Sequence, residues 1–338
     1  MEPASPTPES LKDALRQTIA AWRHAWRRRI IFLIIIYIVG YFWFAVFIPP
    51  RGNSSFPKVV SIPTGATVRD AASILLNEGV INSPLIFKDL VIIFAGEQGL
   101  QAGAYIFDVP VSSFTAARRF VNGKERLNEI RVTIPEGLDN RELAALLSSR
   151  LLNFDEAHFL SIAAPFEGYL FPDTYHFEPT VTPEVVIQRM RANFERKFAS
   201  IKEQVELYGK PLEDVVIMAS LLEEEARTTQ TRRIIAGILW QRLSIGMLLQ
   251  VDAVFPYIIG KNTFEVTLED LATDSPYNTY TRKGLTPGPI SNPGLDSILA
   301  AVTPIKTEYL FYLTDHNGVM RYARTYDMHL ENVRLYLR

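Results

Sequence analysis

Three consecutive glutamates follow a mostly apolar run near the middle of the chain. Residues 215–222 read Val-Val-Ile-Met-Ala-Ser-Leu-Leu, and Glu223, Glu224 and Glu225 come directly after them. If this segment is a helix, two leucines lie one turn back on the face of Glu225. A carboxyl group held against such an apolar wall has a raised pKa and can stay protonated near neutral pH. It can then give its proton to a leaving oxygen, as the cleavage of a glycosidic bond requires.

The same helical spacing ranks the three acids as candidates. Glu225 is the best candidate for a desolvated acid. Glu223 is the second, because Ala219 and Ser220 on its face are small and leave space. Glu224 is expected to face water. The alternative is that all three form a solvated helix end without chemistry, since runs of charge usually mark exposed faces.

The composition excludes several other classes of function. The chain has 338 residues, which is enough for one large domain or two smaller ones. Its net charge of −2 carries no basic excess, so we expect no nucleic-acid partner. Cysteine is absent, which excludes disulfides and thiolate metal sites, and the histidines are scattered without an HExxH pair. We therefore expect no metal and no other cofactor.

An uncharged segment near the start of the chain predicts a membrane anchor. Residues 30–48 carry no formal charge and would span about 28 Å as a helix, which matches a bilayer core. Four arginines lie just before it, at residues 23 and 27–29, and a single arginine, Arg51, comes just after it. The positive-inside rule then places residues 1–29 in the cytoplasm as a tail, part of which (11–25) extends the helix. The alternative, a cleaved signal peptide, lacks a small-x-small cleavage site.

The chain beyond the anchor is predicted to begin with a small unit. A polar, turn-rich linker is expected over residues 51–58. Residues 59–124 then show the patterns of strand, helix, helix, strand and helix in that order. Thr67 and Ser113 are expected to cap two of these helices.

The opening phrase of that unit occurs a second time. Val132-Thr133-Ile134-Pro135-Glu136-Gly137 repeats the pattern of Val60-Ser61-Ile62-Pro63-Thr64-Gly65, and Asn140 then leads into a predicted helix over 141–151. We interpret the repeat as a strand–turn–helix structure that occurs twice, and not as a duplicated functional site. Further elements are expected at residues 183–198, 212–228, 231–243, 295–302 and 329–337 for helices, and 309–313 and 320–322 for strands.

A turn-rich stretch supplies groups that suit sugars. Residues 275–294 are rich in Pro, Gly, Ser and Asn, and include Tyr277, Asn278, Thr279 and Tyr280. Aromatic rings offer flat stacking faces, while amides and hydroxyls offer hydrogen bonds, and function often resides in such loops. The alternative is a purely structural loop.

Several motifs in fixed order resemble a known family. They are Glu167-Gly168 with Pro172-Asp173-Thr174; Ala219-Ser220-x-x-Glu223-x-Glu225; Gln241-Arg242-Leu243; Leu249-Gln250-x-Asp252; Tyr277-Asn278-Thr279-Tyr280; Gly284-Leu285-x-Pro287-Gly288-Pro289-Ile290; and Pro293-Gly294. With them the chain resembles the YceG-like family of endolytic murein transglycosylases (MltG). Departures are mild: Glu224 stands where relatives often have Lys.

The resemblance implies an architecture and a location. The fold class would be α+β, with a single N-terminal transmembrane helix, a small LysM-like α/β subdomain at 59–124 and a larger α+β catalytic domain at 125–338. The protein would lie in the bacterial cytoplasmic membrane, with its catalytic domain outside. Its partners would be peptidoglycan glycan strands, the membrane through its one transmembrane helix, and cell-wall synthases.

The resemblance also implies a reaction with one catalytic acid. Glu225 would protonate the oxygen between MurNAc and GlcNAc and then act as base on the MurNAc C6 hydroxyl, leaving a 1,6-anhydroMurNAc end and so terminating nascent glycan strands. Glu223 would be a supporting acid that raises the pKa of Glu225 by like-charge repulsion. The substrate-binding candidates are Glu167, Asp173, Gln250, Asp252, Tyr277, Asn278, Thr279 and Tyr280.

Two other functions remain open from the sequence. A glycan hydrolase that uses water would need a second carboxylate, and Asp173 or Asp252 could supply it. A non-catalytic, membrane-tethered peptidoglycan-binding partner of the synthesis machinery would use the LysM-like unit alone.

Overall fold

The computed structural model describes residues 8–51, 56–96, 99–261 and 265–337. It is mixed α+β, which confirms the α+β class predicted from the sequence. The chain forms two compact units, Met1–Asn128 and Glu129–Arg338. The first seven residues of the predicted tail and residues 52–55 of the predicted linker lie outside the described residues.

A single long helix, α1 (Pro8–Phe47), begins the described chain. Its Trp26–Phe47 segment is long and apolar enough to cross a membrane, with a mean hydropathy of 2.7. The helix ends directly before Ile48 and two prolines, which cannot continue it because they lack the N–H donor. The helix extends back through residues 11–25, as predicted.

The rest of the first unit packs two strands against three helices. These elements are β1 (Lys58–Ile62), α2 (Val68–Asn77), α3 (Pro84–Ala95), β2 (Gly103–Phe107) and α4 (Ser113–Asn122). Their order is the predicted one, and β1 pairs antiparallel with β2. The fully buried rings of Tyr105 and Phe120 lie 4.1 Å apart at the centre of the core. One predicted cap is wrong: Ser112, and not Ser113, accepts the Thr115 N–H.

The second unit contains mostly helices, with two antiparallel strand pairs among the described residues. The elements of its first part are β3 (Ile130–Thr133), α5 (Asn140–Arg150), α6 (Glu156–Ala163), β4 (Thr174–Phe177), α7 (Pro183–Ala199) and α8 (Lys202–Tyr208). The elements of its second part are α9 (Leu212–Glu225), α10 (Thr229–Ser244), α11 (Val254–Ile259), α12 (Leu295–Val302), β5 (Phe311–Thr314), β6 (Met320–Ala323) and α13 (Tyr326–Tyr336). Strand β3 pairs antiparallel with β4, and β5 with β6.

The repeated phrase folds into the same local structure twice. Thr67 and Asp70 form a capping box at the start of α2, and Asp139 and Glu142 form one at the start of α5. Such a box satisfies two backbone N–H groups that the first turn of a helix leaves unpaired. The cap of α5 is therefore Asp139, one residue before the predicted Asn140.

Helix α9 forms the centre of the second part of this unit. Every residue from Val215 to Leu222 is buried, so the helix is enclosed on all sides instead of only one. The hydroxyl of Ser220 lies within this apolar surround, donating to the Ile217 carbonyl at 2.8 Å and accepting the Ile290 N–H at 3.1 Å. Ser220 thus links the buried helix by a hydrogen bond to the turn-rich stretch at residues 275–294.

The helix ends at Glu225 and not at residue 228, where the pattern predicts its end. Ala226 is extended, with φ −148° and ψ 142°. Thr228 is extended too, because it caps α10 by accepting the Thr231 N–H at 3.2 Å. The chain must leave the helical conformation between the two helices, which places Glu225 at the very end of α9. The same effect starts α13 at Tyr326 instead of 329, since Thr325 caps it.

We predict that Gly237→Ala destabilises the protein, although Ala normally favours a helix over Gly. A Cβ at Gly237 in α10 would lie 2.1 Å from the carbonyl oxygen of Ile305, a backbone atom. That backbone is held in place by hydrogen bonds from Ile305 N–H to the Arg233 carbonyl at 2.8 Å and from Arg233 Nε to the Thr303 carbonyl at 2.7 Å. Overpacking of this kind should lower the free energy of unfolding by about 1–3 kcal/mol.

Urea denaturation of the Gly237→Ala protein measures this change. Gln230→Ala, at an exposed position of the same helix, is the control and should stay within about 0.5 kcal/mol. Equal or greater stability of Gly237→Ala would contradict the close approach.

Candidate active site

The carboxyl group of Glu225 lies in a cleft that is walled by the second half of the chain. Its Oε2 atom accepts the hydroxyl hydrogen of Tyr312 from strand β5 at 3.0 Å. Burial and the negative charge of Asp252 raise the pKa of Glu225, while the Tyr312 hydrogen bond lowers it. The net result is a pKa raised to about 7. Glu225 can therefore both hold and release a proton near neutral pH.

One wall of the cleft comes from the segment after α10. Asp252 accepts a hydrogen bond from the Tyr280 hydroxyl, and both residues line the cleft together with Gln250. Gln250 has a φ of 48°, a left-handed backbone conformation that is uncommon outside glycine. This conformation is held because the Gln250 N–H donates to the Thr279 carbonyl at 3.1 Å, and the next N–H to the Thr279 hydroxyl at 2.9 Å.

The opposite wall is aromatic and comes from the C-terminal hairpin and helix. The ring of Phe311 in β5 lies 5.7 Å from Tyr326 and 5.4 Å from His329, both in α13. Together with Tyr312 these side chains line a cleft of about 560 Å³. That volume falls in the usual range for sites that bind small molecules or short segments of a polymer.

A buried arginine joins the two walls. Arg242 of α10 donates to the Leu310 carbonyl at 2.7 Å and to the Leu249 carbonyl at 2.5 Å, so it fixes the strand and the segment before Asp252. Its guanidinium lies 5.3 Å from the centre of the Phe311 ring. Its positive charge favours the ionised form of Glu225. Burial lowers the pKa of His329 below its usual value, and the charge of Arg242 adds to that effect.

The side chain of Glu223 has a different environment from that of Glu225. Its carboxylate accepts hydrogen bonds from Arg232 at 2.5 Å and from the Gly294 N–H at 2.8 Å, and its side chain is only 5% exposed. Arg232 also pairs with Asp296 at 2.7 Å. Glu223 thereby ties the end of α9 to the starts of α10 and α12. The like charge that raises the pKa of Glu225 is Asp252, so the predicted repulsion by Glu223 has no support in this geometry.

Glu224 stands between the two other acids and is exposed, as the helical spacing predicts. Partial desolvation of its carboxyl and the negative charges of Glu223 and Glu142 nevertheless raise its pKa to about 7. Its side chain lines the same cleft as Glu225.

Two of the predicted binding residues lie outside this cleft. Glu167 accepts the Asn140 N–H at 3.1 Å at the start of α5, and burial raises its pKa to about 8. Asp173 accepts a hydrogen bond from Asn193 at 3.1 Å, which contributes most to a pKa held below its usual value.

Three others do not line the cleft and make contacts elsewhere. Asn278 is buried and donates to the carbonyls of Leu271 and Thr273, while Thr279 holds the segment that carries Gln250. Tyr277 packs its ring 5.0 Å from that of Tyr257. Of the predicted substrate-binding residues, the structure therefore brings Gln250, Asp252 and Tyr280 together with Glu225.

Sequence reasoning missed the aromatic wall. Tyr312, Phe311 and Tyr326 follow Glu225 at long sequence distance, and no local pattern connects them to it. Arg242 belongs to one of the family motifs, but the motif does not reveal its place in the site. Within the described ranges, no group of three or more His, Asp and Glu side chains is arranged to hold a metal ion.

Comparison with known proteins gives consistent matches over most of the chain. The model of the YceG-like family matches residues 60–335. An endolytic murein transglycosylase of Bacillus subtilis is 32% identical over 308 residues, covering 83% of this chain and 85% of the relative. One from Streptococcus pneumoniae is 27% identical over 350 residues, covering 90% of this chain and 63% of that longer protein.

A solved structure is similar as well. The crystal structure of a YceG-like protein from Listeria monocytogenes has a TM-score of 0.56 and 29% sequence identity, covering 82% of this chain and 99% of that one.

We predict that two substitutions move the pKa of Glu225 in opposite directions. Tyr312→Phe removes a hydrogen bond to the charged carboxylate, so the pKa should rise above its starting value of about 7. Asp252→Asn removes a nearby negative charge, so the pKa should fall. Carboxyl ¹³C NMR titration of glutamate-labelled protein measures both, with Glu225→Gln to assign the resonance. Movement of both variants in one direction would refute this electrostatic arrangement.

Proposed function

The chain belongs to the YceG-like family, and from this premise we propose that it is a membrane-anchored lytic transglycosylase that cuts peptidoglycan within its glycan strands. The relatives named endolytic murein transglycosylase support the substrate class. The observation that carries the proposal is the place of the Glu225 carboxyl, which ends a buried helix and lies beside Tyr312 in a cleft of aromatic and hydroxyl groups. Burial there raises the pKa of Glu225 to about 7.

The first step is proton transfer to the leaving oxygen. Protonated Glu225 donates to the oxygen of the MurNAc–GlcNAc β-1,4 bond while the bond from the anomeric carbon to that oxygen breaks, its electron pair passing to the oxygen. Positive charge develops on the anomeric carbon and ring oxygen. Asp252, in the same cleft, favours that charge and also favours the protonated form of Glu225 beforehand.

The second step closes a ring without adding water. The C6 hydroxyl of the same MurNAc attacks the anomeric carbon and gives its proton to the Glu225 carboxylate, which restores the acid. The product is a 1,6-anhydroMurNAc end. Because the nucleophile is already part of the sugar, proximity replaces the second carboxylate that a glycosidase needs. Tyr312 orients the carboxyl group and limits the rise of its pKa.

A hydrolase remains the second candidate because Asp252 shares the cleft with Glu225. As a base it would have to activate a water molecule. In the structure one carboxylate oxygen of Asp252 already accepts a hydrogen bond from the Tyr280 hydroxyl, so that oxygen is less available to activate water. Asp173, the other candidate from the sequence, pairs with Asn193 and Lys197 instead.

The proposal includes a place for the enzyme in the cell. Residues 30–48 would cross the bacterial cytoplasmic membrane once, with residues 1–29 inside. Residues 59–124 would form a LysM-like glycan-binding subdomain and residues 125–338 the catalytic domain, both outside. Anchored there, the enzyme would act on nascent strands and terminate their polymerisation beside the cell-wall synthases. The apolar helix and the arginines before it support the anchor and its orientation.

We predict that Glu225→Gln abolishes strand cleavage and leaves the protein folded. An amide cannot supply the proton, so the rate should fall by about 10²–10⁴-fold or more, the usual contribution of general acid catalysis. Release of soluble fragments from purified peptidoglycan measures this. Glu213→Gln, an exposed acid in the first turn of the same helix, is the matched control and should keep wild-type activity. Retention of activity by Glu225→Gln would remove the residue from this role.

We also predict a single membrane crossing, with the chain beyond residue 48 outside. Since the chain has no cysteine, single-cysteine variants give unambiguous labelling. In intact spheroplasts an impermeant maleimide should label Lys124→Cys, an exposed position, while Ser5→Cys should react only after permeabilisation. The reverse pattern would invert the proposed topology, and labelling of both would exclude a crossing.

A further inference from the structure

A second groove in the Glu129–Arg338 unit adjoins the cleft of Glu225. It has a volume of about 450 Å³, and its walls include Asp139, Arg141, Glu142, Tyr257 and Lys261. Glu224 and Ala253 line both the groove and the cleft. The groove and the cleft therefore adjoin at Glu224, the residue that directly precedes Glu225.

The polar side chains of the groove are held in fixed positions. Asp139 caps α5 and accepts two hydrogen bonds from the Arg141 guanidinium, at 3.0 and 2.6 Å. The same guanidinium donates to the Tyr257 carbonyl at 2.9 Å and lies 5.2 Å from the centre of the Tyr257 ring. The ring of Tyr277 packs against that of Tyr257 at 5.0 Å. Arg141 of α5 and Tyr257 of α11 thus form a surface whose side chains are held by hydrogen bonds and ring contacts.

Two ion pairs offset part of the charge in the groove, while Glu142 and Glu224 add two acidic groups to its wall. Arg141 pairs with Asp139, and Lys261 pairs with Asp270 at 2.7 Å. Arg141 nevertheless stays open to solvent, with 55% of its side chain exposed. Such a wall offers hydrogen-bond donors and acceptors, and its excess of acidic groups disfavours an anionic ligand, so it suits neutral hydroxyl and acetamido groups.

We propose that this groove is a second subsite, which binds sugar rings of the same glycan strand on the far side of the scissile bond from the aromatic wall. The inference rests on the proposed function. An enzyme that cuts within a strand must hold sugars on both sides of its acid, and the cleft at Glu225 accounts for one side. The groove supplies the other, with the Arg141–Tyr257 surface as its main contact and Glu224 at the junction.

The test compares long and short substrates for the full-length protein in detergent. Glycan strands stripped of stem peptides by an amidase are fractionated into long strands and a tetrasaccharide, and kcat/KM is measured for each. Arg141→Gln and Tyr257→Leu should each lower the ratio of long-strand to tetrasaccharide kcat/KM by about tenfold, or 1.4 kcal/mol. The matched control is Arg191→Gln, which removes another arginine stacked on an aromatic ring, 4.4 Å above Phe166, and should keep the wild-type ratio.

A binding measurement separates this inference from the proposed function. Affinity of the Glu225→Gln protein for long strands should fall by a similar factor when Arg141→Gln is added. Wild-type cleavage with unchanged ratios in folded variants would overturn the subsite alone. A ratio that falls only on strands that keep their stem peptides would overturn it too, since the groove would then hold the stem. Should Tyr257→Leu fail to fold, the results for Arg141→Gln decide whether the groove is a subsite. If the wild-type protein binds strands but does not cleave them, the proposed function is refuted. The change in affinity caused by Arg141→Gln would then decide whether the groove binds the strand.

Discussion

The structure depends on one constraint: a carboxyl group must stay uncharged for part of the time at the end of a helix that is buried along its length. Helix α9 is enclosed by core residues as far as Leu222, and the chain turns away directly after Glu225. Water therefore reaches the carboxyl through the cleft. Desolvation raises its pKa, and the Tyr312 hydrogen bond and the Arg242 charge prevent the pKa from rising further. The balance lies near neutrality, which suits the proposed use of this one carboxyl group first as acid and then as base.

Such a balance requires that the end of α9 cannot move, and Glu223 provides that restraint. Its bonds to Arg232 and Gly294 join the end of α9 to the two helices packed beside it. A nearly buried ion pair of this kind contributes little net stability, but loss of one partner leaves an uncompensated charge. The two outer glutamates of the run thus differ in their contacts: Glu223 fixes the helix end, and Glu225 is the proposed proton carrier.

Much of the fold could be predicted because local chemistry determines it. Periodicity, capping residues and turns indicated the order of elements in the first unit and most helices of the second, and the helical spacing of Leu221 and Leu222 pointed to Glu225. Short helices such as α6, α8 and α11 escaped prediction because they contain too few residues for a clear period. The role of Asp139 as cap was misplaced by one residue, since Asp and Asn cap equally well.

The site itself was only partly predictable, because its walls are joined by long-range contacts. Tyr312 contacts Glu225 although 87 residues of sequence separate them, and no local spacing pattern predicts such a contact. Composition drew attention to Tyr277, Asn278 and Thr279, whose types suit sugars, but the same groups suit the hydrogen bonds within a tight loop. In the structure Asn278 and Thr279 hold the loop, Tyr277 packs against Tyr257, and it is Tyr280 that reaches the cleft.

The most direct test of the central claim is the mass of the new ends when the wild-type protein cleaves peptidoglycan in water enriched in ¹⁸O. If a single carboxyl acts as acid and then as base on the C6 hydroxyl, the new MurNAc ends are lighter than reducing ends by one water and carry no ¹⁸O. Reducing ends that contain ¹⁸O would contradict the account, because water would then be the nucleophile and Asp252 or another carboxylate would have to activate it.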